Sequence, residues 1–345
     1  MLHVGLNLVF LVPGETGGME TAARAVIPHL AAHPGLRITA LVNREAAGTF
    51  DGIDEVVVPV NATNRIEWVR GEQTLLPRLA ARAGCQIVHS LGSTAPLWGR
   101  FRRVTTIHDL HYKTAPEAHF GIRDLGMRAL VPAAARRSHR VIAVSEATRH
   151  DLHEHLRLPD AKIDVVPQGV SVPRDVPRRP ERMVLCVGAK RPHKNAVAVV
   201  EALAGADIRL VVTGYRTAYD NVLRERAAAV GVALELPDWV ENLDDLYARA
   251  GVVVVPSLYE GFGLPVLEAM VRGVPVVASN RSSLPEVAGD AALLVDPEDR
   301  RALREAIERA LQESDRLSAA GRERARPFTW EHTAQLTVES YRRVL

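Results

Sequence analysis

This sequence has few cysteines, and it lacks long apolar runs and a secretion signal. Its 345 residues include two cysteines, Cys85 and Cys186, each inside an apolar run typical of a strand. Neither a disulfide framework nor zinc-ligand spacing is present, so two buried thiols are expected. No apolar run approaches the ~20 residues that a membrane-spanning helix needs. The first residues read directly as a strand, without the basic segment and cleavage site of a signal peptide. These absences together predict a cytoplasmic protein.

Several signatures of nucleotide and nucleic-acid chemistry are also absent. The P-loop pattern is missing, which disfavours hydrolysis of nucleoside triphosphates, and the glycines at 14–18 lack the G-x-G-x-x-G spacing of a dehydrogenase. No Asp-x-Asp pair offers a divalent metal site, and no basic surface interleaved with aromatic residues suggests nucleic acid. A net charge of +2 argues neither for nor against an anionic partner. We therefore expect no cofactor, no metal and no nucleic-acid partner.

Short β-branched runs alternate with amphipathic segments, such as Glu72–Ala83, along the whole chain. Continuous apolar strands separated by helices are typical of parallel sheets covered on both faces. Residues 6–26 and 183–203 each read as strand, glycine-containing loop and helix, so each could open a Rossmann-type sheet. The predicted strands are Val4–Val12, Ile38–Val42, Val56–Val58, Ile87–Ser90, Val104–His108, Arg140–Val144, Ile163–Val166, Met183–Val187, Ile208–Val212, Val232–Leu236, Val252–Pro256, Val274–Ala278 and Ala292–Val295. The predicted fold is α/β with two Rossmann-like domains, since the length exceeds what one hydrophobic core usually holds.

The segment Ser171–Glu181 interrupts the alternation. It carries three prolines in eleven residues and no apolar periodicity, which fits an inter-domain linker. Residues 1–170 are therefore predicted to form the N-terminal domain and residues 182–329 the C-terminal domain. A final helix over residues 330–345, with Thr329 as its cap, is predicted to pack back on the N-terminal domain.

The segment Pro256–Glu268 carries the sharpest functional signal. A strand ends at its start, and a loop containing Gly261 and Gly263 leads into a helix. Glycines let a backbone approach a ligand, and the start of a helix offers unpaired N–H groups to an anion. Glu260 and Glu268 bracket this loop, and carboxylates are good acceptors for sugar hydroxyls. The pattern suits a ligand with a diphosphate between two sugars, whereas a glycine turn followed by a Glu that stabilises the helix dipole is the structural alternative.

Together these residues resemble the E-x7-E motif of glycosyltransferase family 4, a large family of retaining enzymes with the GT-B fold. The resemblance extends to Ser282–Gly289 and Leu293–Pro297. It implies two domains whose parallel sheets face each other across an active-site cleft, with the first binding the acceptor and the second the nucleotide-sugar donor. It also implies that Glu268 binds the donor ribose and that Glu260 lies near the transferred sugar. The amides that would hold the diphosphate and contact the sugar hydroxyls belong to Gly261, Phe262, Gly263 and Leu264.

The loop Val187–Asn195 is the second signal. Gly188 and Lys194 match a glycine and a lysine of the family, and the resemblance implies that Lys194 neutralises the β-phosphate as it leaves. His193 stands where arginine is frequent, and Arg191 stands where one branch of the family has glutamate. This departure leaves the second phosphate-binding cation open, with a solvated basic turn as the structural alternative. The candidates are Lys190, Arg191 and His193.

Two positions in the N-terminal domain also match the family. Gly17 and Gly18 correspond to a Gly-Gly loop that approaches the donor phosphates and lines the acceptor pocket. His108 ends a strand, and the resemblance implies that it contacts the donor sugar or orients the reacting atoms. Asp109 would hold the ring of His108 or the acceptor. A common glycine-rich turn and a structural histidine are the alternatives.

The resemblance implies a hexosyltransferase that retains the anomeric configuration. A nucleotide diphosphate is a good leaving group, so we expect the β-phosphate oxygen to accept the proton of the acceptor, without a protein nucleophile. Lys194 and the helix dipole would take the place of a metal ion. The Pro-His-Lys-Asn sequence favours a GDP-mannose-like donor, with UDP-sugars next, and the acceptor is a hydroxyl of a sugar, a lipid-linked sugar or a natural product. The alternatives are a pseudo-glycosyltransferase that joins cyclitols and a nucleotide-sugar-binding protein without activity.

Arginines cluster in the later part of the N-terminal domain. A solvated helix face is the preferred interpretation. Peripheral contact with a membrane surface or with a phospholipid-linked acceptor is the alternative. The arginines concerned are Arg123, Arg128, Arg136, Arg137 and Arg140.

Overall fold

The computed structural model describes residues 1–114, 122–172, 176–238, 240 and 242–345. These residues form two compact units. The first contains the chain up to Lys113, the segment that ends at Gly169, and the C-terminal Thr329–Leu345, whereas the second contains Val170–Phe328. Residues 173–175 of the predicted linker and the side chain of Arg123 lie outside the described part of the chain.

The first unit is built on a seven-stranded sheet. Its strands are β1 Leu2–Leu8, β2 Leu36–Val42, β3 Asp54–Val57, β4 Ile87–Ser90, β5 Arg102–Ile107, β6 Arg140–Ala143 and β7 Ile163–Val165. They pair in parallel in the order β3-β2-β1-β4-β5-β6-β7. The order of the strands reverses between β1 and β4, and such a reversal opens a crevice at the carboxyl ends of the two strands.

The helices of the first unit connect these strands. They are α1 Gly18–Ala31, α2 Arg65–Arg70, α3 Leu76–Arg82, α4 His111–Thr114, α5 Ile122–Arg137 and α6 Glu146–Leu156. A π-helical turn over Gly71–Leu75 joins α2 to α3. The amphipathic segment Glu72–Ala83 is therefore not one regular helix. A π-turn accommodates an extra residue, and here it places the side chain of Glu72 in the protein interior, where it is 1% exposed.

The second unit is built on a six-stranded sheet. Its strands are β8 Met183–Val187, β9 Arg209–Thr213, β10 Leu234–Glu235, β11 Val252–Val255, β12 Val276–Ser279 and β13 Leu293–Val295. They pair in parallel in the order β10-β9-β8-β11-β12-β13, so the order reverses between β8 and β11. The helices of this unit are α7 Ala196–Ala202, α8 Tyr219–Val230, α9 Asp244–Arg249, α10 Leu264–Val271, α11 Leu284–Ala288, α12 Arg300–Gln312 and α13 Ser314–Ala325.

Each predicted strand overlaps a strand of the structure, and the α/β fold with two parallel sheets is confirmed. The central strands of each sheet are apolar because their residues are covered on both faces. Cys85 and Cys186 are buried thiols, as predicted. Burial raises the pKa of Cys85 to about 11 and that of Cys186 to about 12, so both are unreactive. No helix in the described ranges is both long and apolar enough to cross a bilayer.

A last helix, α14 Trp330–Arg342, belongs to the first unit. Its cap is Thr329, whose side chain accepts a hydrogen bond from the backbone N–H of His332. The hydroxyl of Tyr341 is buried and lies 2.7 Å from Nδ1 of His89. Burial, and then the nearby His108, lower the pKa of His89 to about 3, so its ring stays neutral. The polar contact between α14 and β4 is therefore a neutral, fully desolvated hydrogen bond.

We expect Tyr341→Phe to lower the free energy of unfolding by about 1–2 kcal/mol, because it leaves the buried Nδ1 of His89 without a partner. Urea denaturation followed by circular dichroism measures this change. The control is Arg342→Gln on the exposed side of the same helix, which should leave the unfolding midpoint unchanged. Equal midpoints for Tyr341→Phe and the wild type would contradict the assigned contact.

Candidate active site

Two loops meet at the point where strand order reverses in the second unit. One follows β8 and contains Gly188 and Lys194, and the other follows β11 and begins at Pro256. The amide of Asn195 donates to the carbonyls of Pro256, at 3.2 Å, and of Pro297, at 2.9 Å. Asn195 has a φ of 56°, a left-handed conformation that asparagine tolerates better than most residues. The sheet order and this side chain together hold the two loops side by side.

Lys194 and Glu260 form an ion pair in this place. The ammonium of Lys194 lies 2.6 Å from Oε1 of Glu260, with the two side chains 25% and 11% exposed. The hydroxyl of Ser257 donates to the same oxygen at 2.8 Å. The structure therefore brings together two residues that lie 66 positions apart in the sequence. An anion that binds Lys194 must compete with Glu260, whose Oε1 would still be hydrogen-bonded to Ser257.

Two serines after β12 hold the backbone of the loop Glu260–Leu264. The Ser282 hydroxyl donates to the carbonyl of Glu260 at 2.5 Å, and the Ser283 hydroxyl lies 3.0 Å from that carbonyl and 2.7 Å from the carbonyl of Phe262. In a trans peptide the C=O and the following N–H point in opposite directions. The amides of Gly261 and Gly263 are therefore turned away from the serines.

Sequence reasoning used Ser282 and Ser283 only as part of a matching segment and missed this role. The signal that could have found them is a pair of adjacent hydroxyls in the loop that follows a parallel strand. Gly263 has a φ of 108°, and a Cβ there would lie 2.7 Å from Leu284 Cδ2. Only glycine fits at this position.

Glu268 lies in α10 and is oriented by Tyr247 of α9. The phenol donates to Oε2 of Glu268 at 2.8 Å. The guanidinium of Arg272 lies 4.7 Å from the centre of the Tyr247 ring and donates to the backbone carbonyl of Glu268. Burial raises the pKa of Glu268, although the bond from Tyr247 and the charge of Arg272 oppose this. No sequence signal connected Tyr247 with Glu268.

The basic side chains of the loop after β8 have different surroundings. The ammonium of Lys190 is 0% exposed and lies 2.8 Å from Oδ2 of Asp220. It therefore has a buried partner in α8 and is removed from the candidates for the second phosphate-binding cation. Arg191 and His193 are half-buried and remain candidates. The backbone carbonyl of His193 accepts from the N–H of Leu258, which ties the two loops together again.

In the first unit, His108 follows β5 and its ring is bonded on both sides. Nε2 lies 2.8 Å from the carbonyl of Leu91 and must carry the proton, since a carbonyl only accepts. Nδ1 accepts from the amide of Gln168 at 3.2 Å. Burial lowers the pKa of His108, which keeps the ring neutral. His108 is therefore held in one tautomer and one orientation.

Asp109 holds a different histidine from the one expected. Its Oδ1 lies 2.5 Å from Nδ1 of His111 and accepts from the backbone N–H of the same residue. Burial raises the pKa of Asp109, but the hydrogen bond and charge of His111 outweigh it and hold that pKa at about 2. The expectation that Asp109 holds the ring of His108 is therefore corrected, and sequence reasoning missed His111.

The glycines at the start of α1 have separate roles in the backbone. Gly17 has a φ of 67° and precedes the helix, and Gly18 is its first residue. Oε2 of Glu20 accepts from the backbone N–H of Gly14 at 2.9 Å and closes this loop. No group of three or more metal-binding side chains was found within the described ranges.

Two family models match the chain. The model described as "Glycosyl transferases group 1" matches residues 173–326, and the model described as "Glycosyltransferase Family 4" matches residues 16–174. The O-antigen chain mannosyltransferase B of Escherichia coli is 34% identical over 270 residues, which cover 70% of each chain. These matches span both units.

Solved structures support the same fold. Sucrose-phosphate synthase from Thermosynechococcus elongatus superimposes with a TM-score of 0.79 at 22% identity, over 99% of both chains. Anabaena HepE in complex with UDP-glucose superimposes with a TM-score of 0.78 at 18% identity, over 99% of this chain and all of the other. At these identities the likeness establishes the GT-B fold alone.

We expect Lys190→Met to lower the free energy of unfolding by about 3–5 kcal/mol, because Asp220 would be left as a buried, unpaired carboxylate. Thermal and urea unfolding measure the loss. The double variant Lys190→Met/Asp220→Asn removes both charges and should recover most of it. If Lys190→Met were as stable as the wild type, the ion pair with Asp220 would have no structural role. Lys190 would then again be a candidate phosphate ligand.

Proposed function

This chain belongs to glycosyltransferase family 4, and we propose that it transfers mannose from a nucleotide diphosphate sugar to a sugar hydroxyl. The observation that carries the proposal is the meeting of Lys194, Glu260 and the amides of residues 261–264 at the carboxyl ends of β8 and β11. The reversal of strand order is where open parallel sheets bind nucleotides. The similarity to an O-antigen mannosyltransferase supports mannose as the sugar and a saccharide as the acceptor.

The donor diphosphate is proposed to lie against the loop Glu260–Leu264. The start of α10 carries the positive end of the helix dipole, which favours negative charge. Lys194 supplies the mobile cation, and Arg191 or His193 supplies the second. Glu268 accepts the ribose hydroxyls through the carboxylate that Tyr247 orients.

The transfer needs no protein nucleophile. The acceptor oxygen attacks the anomeric carbon from the side on which the nucleotide leaves, and the bond to the β-phosphate oxygen breaks. That oxygen takes the proton of the acceptor hydroxyl, so the configuration is retained. Negative charge grows on the β-phosphate during this step, and a preorganised cation in a dry site stabilises such charge strongly. We assign this role to Lys194, which exchanges Glu260 for the phosphate when the donor binds.

Acceptor binding is proposed for the first unit. The Gly17–Gly18 turn and Asp109 lie at the carboxyl ends of its strands or at the helix that follows. His108 presents a neutral ring in a fixed tautomer, so it acts by contact and orientation rather than as a charged acid. Asp109 keeps its negative charge across the physiological range because its pKa is about 2.

A thermal-shift screen of GDP, UDP, ADP and dTDP tests the donor class, because a ligand that binds only the native state raises its stability. We expect the largest shift with GDP, followed by transfer from GDP-mannose to a mannoside acceptor with the α-configuration preserved. Binding of GDP-mannose without transfer to any hydroxyl would indicate a binding protein instead. A shift only with UDP would replace mannose by a UDP-linked hexose.

Lys194→Ala should lower kcat by roughly 10²–10³, the effect typical of losing one donor to a developing oxyanion. The Kd of the nucleotide should change much less. Glu268→Ala should raise the Kd of the nucleotide and change kcat much less. The reason is that the bond of Glu268 to the ribose is equally strong in the ground and transition states. Steady-state kinetics and calorimetry separate the two effects, with Lys113→Ala as an exposed lysine control. Wild-type kcat in Lys194→Ala at saturating donor would refute the assigned role.

The affinity for the nucleotide sugar should fall on acidification, starting above the usual pKa of a glutamate. Burial raises the pKa of Glu268, so its carboxylate is ionised and accepts ribose hydroxyls only above that raised value. A nucleotide sugar is the suitable probe, since it lacks the second phosphate ionisation of a free diphosphate. Calorimetric titrations across acidic pH measure this effect, and Glu268→Gln should abolish the dependence. An unchanged pH dependence in Glu268→Gln would assign the titration to another group.

A further inference from the structure

Glu72 has a buried carboxyl group in the first unit. The proposed transfer mechanism assigns no role to this group. It lies in the π-helical turn Gly71–Leu75 and is 1% exposed. π-turns are rare and are frequent at functional sites. Within the described residues no lysine or arginine forms an ion pair with Glu72. Burial raises its pKa, although hydrogen bonds from Asn7, Thr94 and Gln73 oppose this.

Three side chains donate hydrogen bonds to the carboxyl of Glu72. Its Oε1 accepts from the Asn7 amide and from the Thr94 hydroxyl, each at 2.9 Å, and its Oε2 accepts from the Gln73 amide at 3.2 Å. Asn7 also donates to the hydroxyl of Ser90, its direct neighbour across β1 and β4. Glu72 therefore sits at the reversal of strand order in the first sheet.

Gln73 binds the same loop as Glu72. Its amide donates to the carbonyl of Ala95 at 3.0 Å, and its side-chain oxygen accepts from the N–H of Leu97 at 3.1 Å. Its backbone carbonyl accepts from the indole of Trp98 at 2.6 Å. With the bond from Thr94, two consecutive residues of the π-turn attach to four residues of the segment Leu91–Trp98.

The segment Leu91–Trp98 is also what holds His108. The carbonyl of Leu91 accepts from Nε2 of His108, and the hydroxyl of Ser93 accepts from its backbone N–H at 3.2 Å. Ser93 has a φ of 65°, a strained conformation for a residue other than glycine. Such a conformation persists only when the surrounding contacts enforce it. The π-turn holds the neighbouring residue, because Glu72 accepts a hydrogen bond from Thr94.

We propose that Glu72 is a positioning residue for transfer: with Gln73 it fixes the segment Leu91–Trp98 and, through it, the ring and backbone of His108. The inference rests on the proposed function, in which His108 faces the reacting sugar. Glutamate suits this place because an ionised carboxylate only accepts hydrogen bonds. A glutamine would direct an NH2 group at either the Gln73 amide or the Asn7 and Thr94 donors.

The first test is Glu72→Gln, assayed for transfer and for nucleotide binding. We expect kcat to fall roughly tenfold, the effect of one mispaired buried group, while the Kd of the nucleotide stays at its wild-type value. The matched control is Glu67→Gln, one turn earlier, whose carboxylate bonds to Asn61 and Asn64 in the surface turn. A wild-type kcat in Glu72→Gln, or an equal loss in Glu67→Gln, would overturn the proposal.

A double-mutant cycle tests whether Glu72 acts through His108. If it does, Glu72→Gln should reduce kcat much less in a His108→Ala background than in the wild type, since coupled residues are not additive. A residue that only supports the fold would give the same reduction in both backgrounds. Additive losses would therefore overturn the proposal.

Thr94→Val and Thr94→Ser provide a matched pair if Glu72→Gln does not fold. Valine removes the hydroxyl donor to Glu72 at nearly constant volume, whereas serine keeps it. We expect the valine variant to lose activity and the serine variant to retain it. Equal activity of the two variants would contradict the proposed connection.

A spectroscopic measurement separates this proposal from the proposed function. In 15N-histidine spectra, assigned for His108 by comparison with His108→Ala, the wild type should show the Nε2–H tautomer bonded to Leu91. Glu72→Gln and Thr94→Val should introduce a second tautomer or broaden the signal, and Glu67→Gln should not. Unchanged His108 signals would overturn the positioning role even if no transfer were found with any donor. Altered signals without wild-type transfer would leave the positioning intact and refute the function.

Discussion

The hydrogen-bonded order of the parallel strands is the constraint on which the other contacts in this chain depend. Where the order reverses, two loops leave neighbouring strands in opposite directions, and their first residues lie side by side. In the second sheet this reversal, between β8 and β11, brings the loop of Lys194 next to the loop of Glu260. In the first sheet it lies between β1 and β4, where Asn7, Ser90 and Glu72 form one hydrogen-bonded group.

The loops after β8 and β11 keep a cation and a carboxylate in contact, in the pair of Lys194 with Glu260. The pair is partly shielded from water, so separating the two charges without a replacement would be costly. In the proposed mechanism the donor diphosphate replaces Glu260 as the partner of Lys194, while Ser257 continues to donate to Glu260. The ion pair thus holds the ammonium of Lys194 in one place beside the loop Glu260–Leu264. Ser282 and Ser283 hold the backbone of the loop Glu260–Leu264 in place, because their hydroxyls donate to two of its carbonyls.

Much of this architecture could be predicted from the sequence, because its signals are local. Short apolar runs separated by helices predict parallel sheets, and the glycine-containing loops after β1, β8 and β11 mark where a strand ends and a helix follows. The family resemblance then indicated Lys194 and Glu260. The partners of these residues could not be found in the same way. Tyr247 and Glu268 meet because α9 lies beside α10. Lys190 could be excluded only because its ammonium is buried against Asp220, and Arg191 and His193 remain candidates. The π-turn at Glu72 was read as ordinary helix, since apolar periodicity does not register one extra residue in a turn.

In the proposed mechanism Lys194 leaves Glu260 for the β-phosphate of the donor. A crystal structure with a bound nucleotide sugar, or with GDP as the leaving group, tests it most directly. We expect Nζ of Lys194 at about 2.8 Å from a β-phosphate oxygen, a charge-assisted hydrogen-bond distance. We also expect the amides of Gly261 and Gly263 to be directed at the diphosphate and Glu268 to be bonded to the ribose. A bound nucleotide whose diphosphate lies elsewhere, with Lys194 still paired to Glu260 at 2.6 Å, would contradict it.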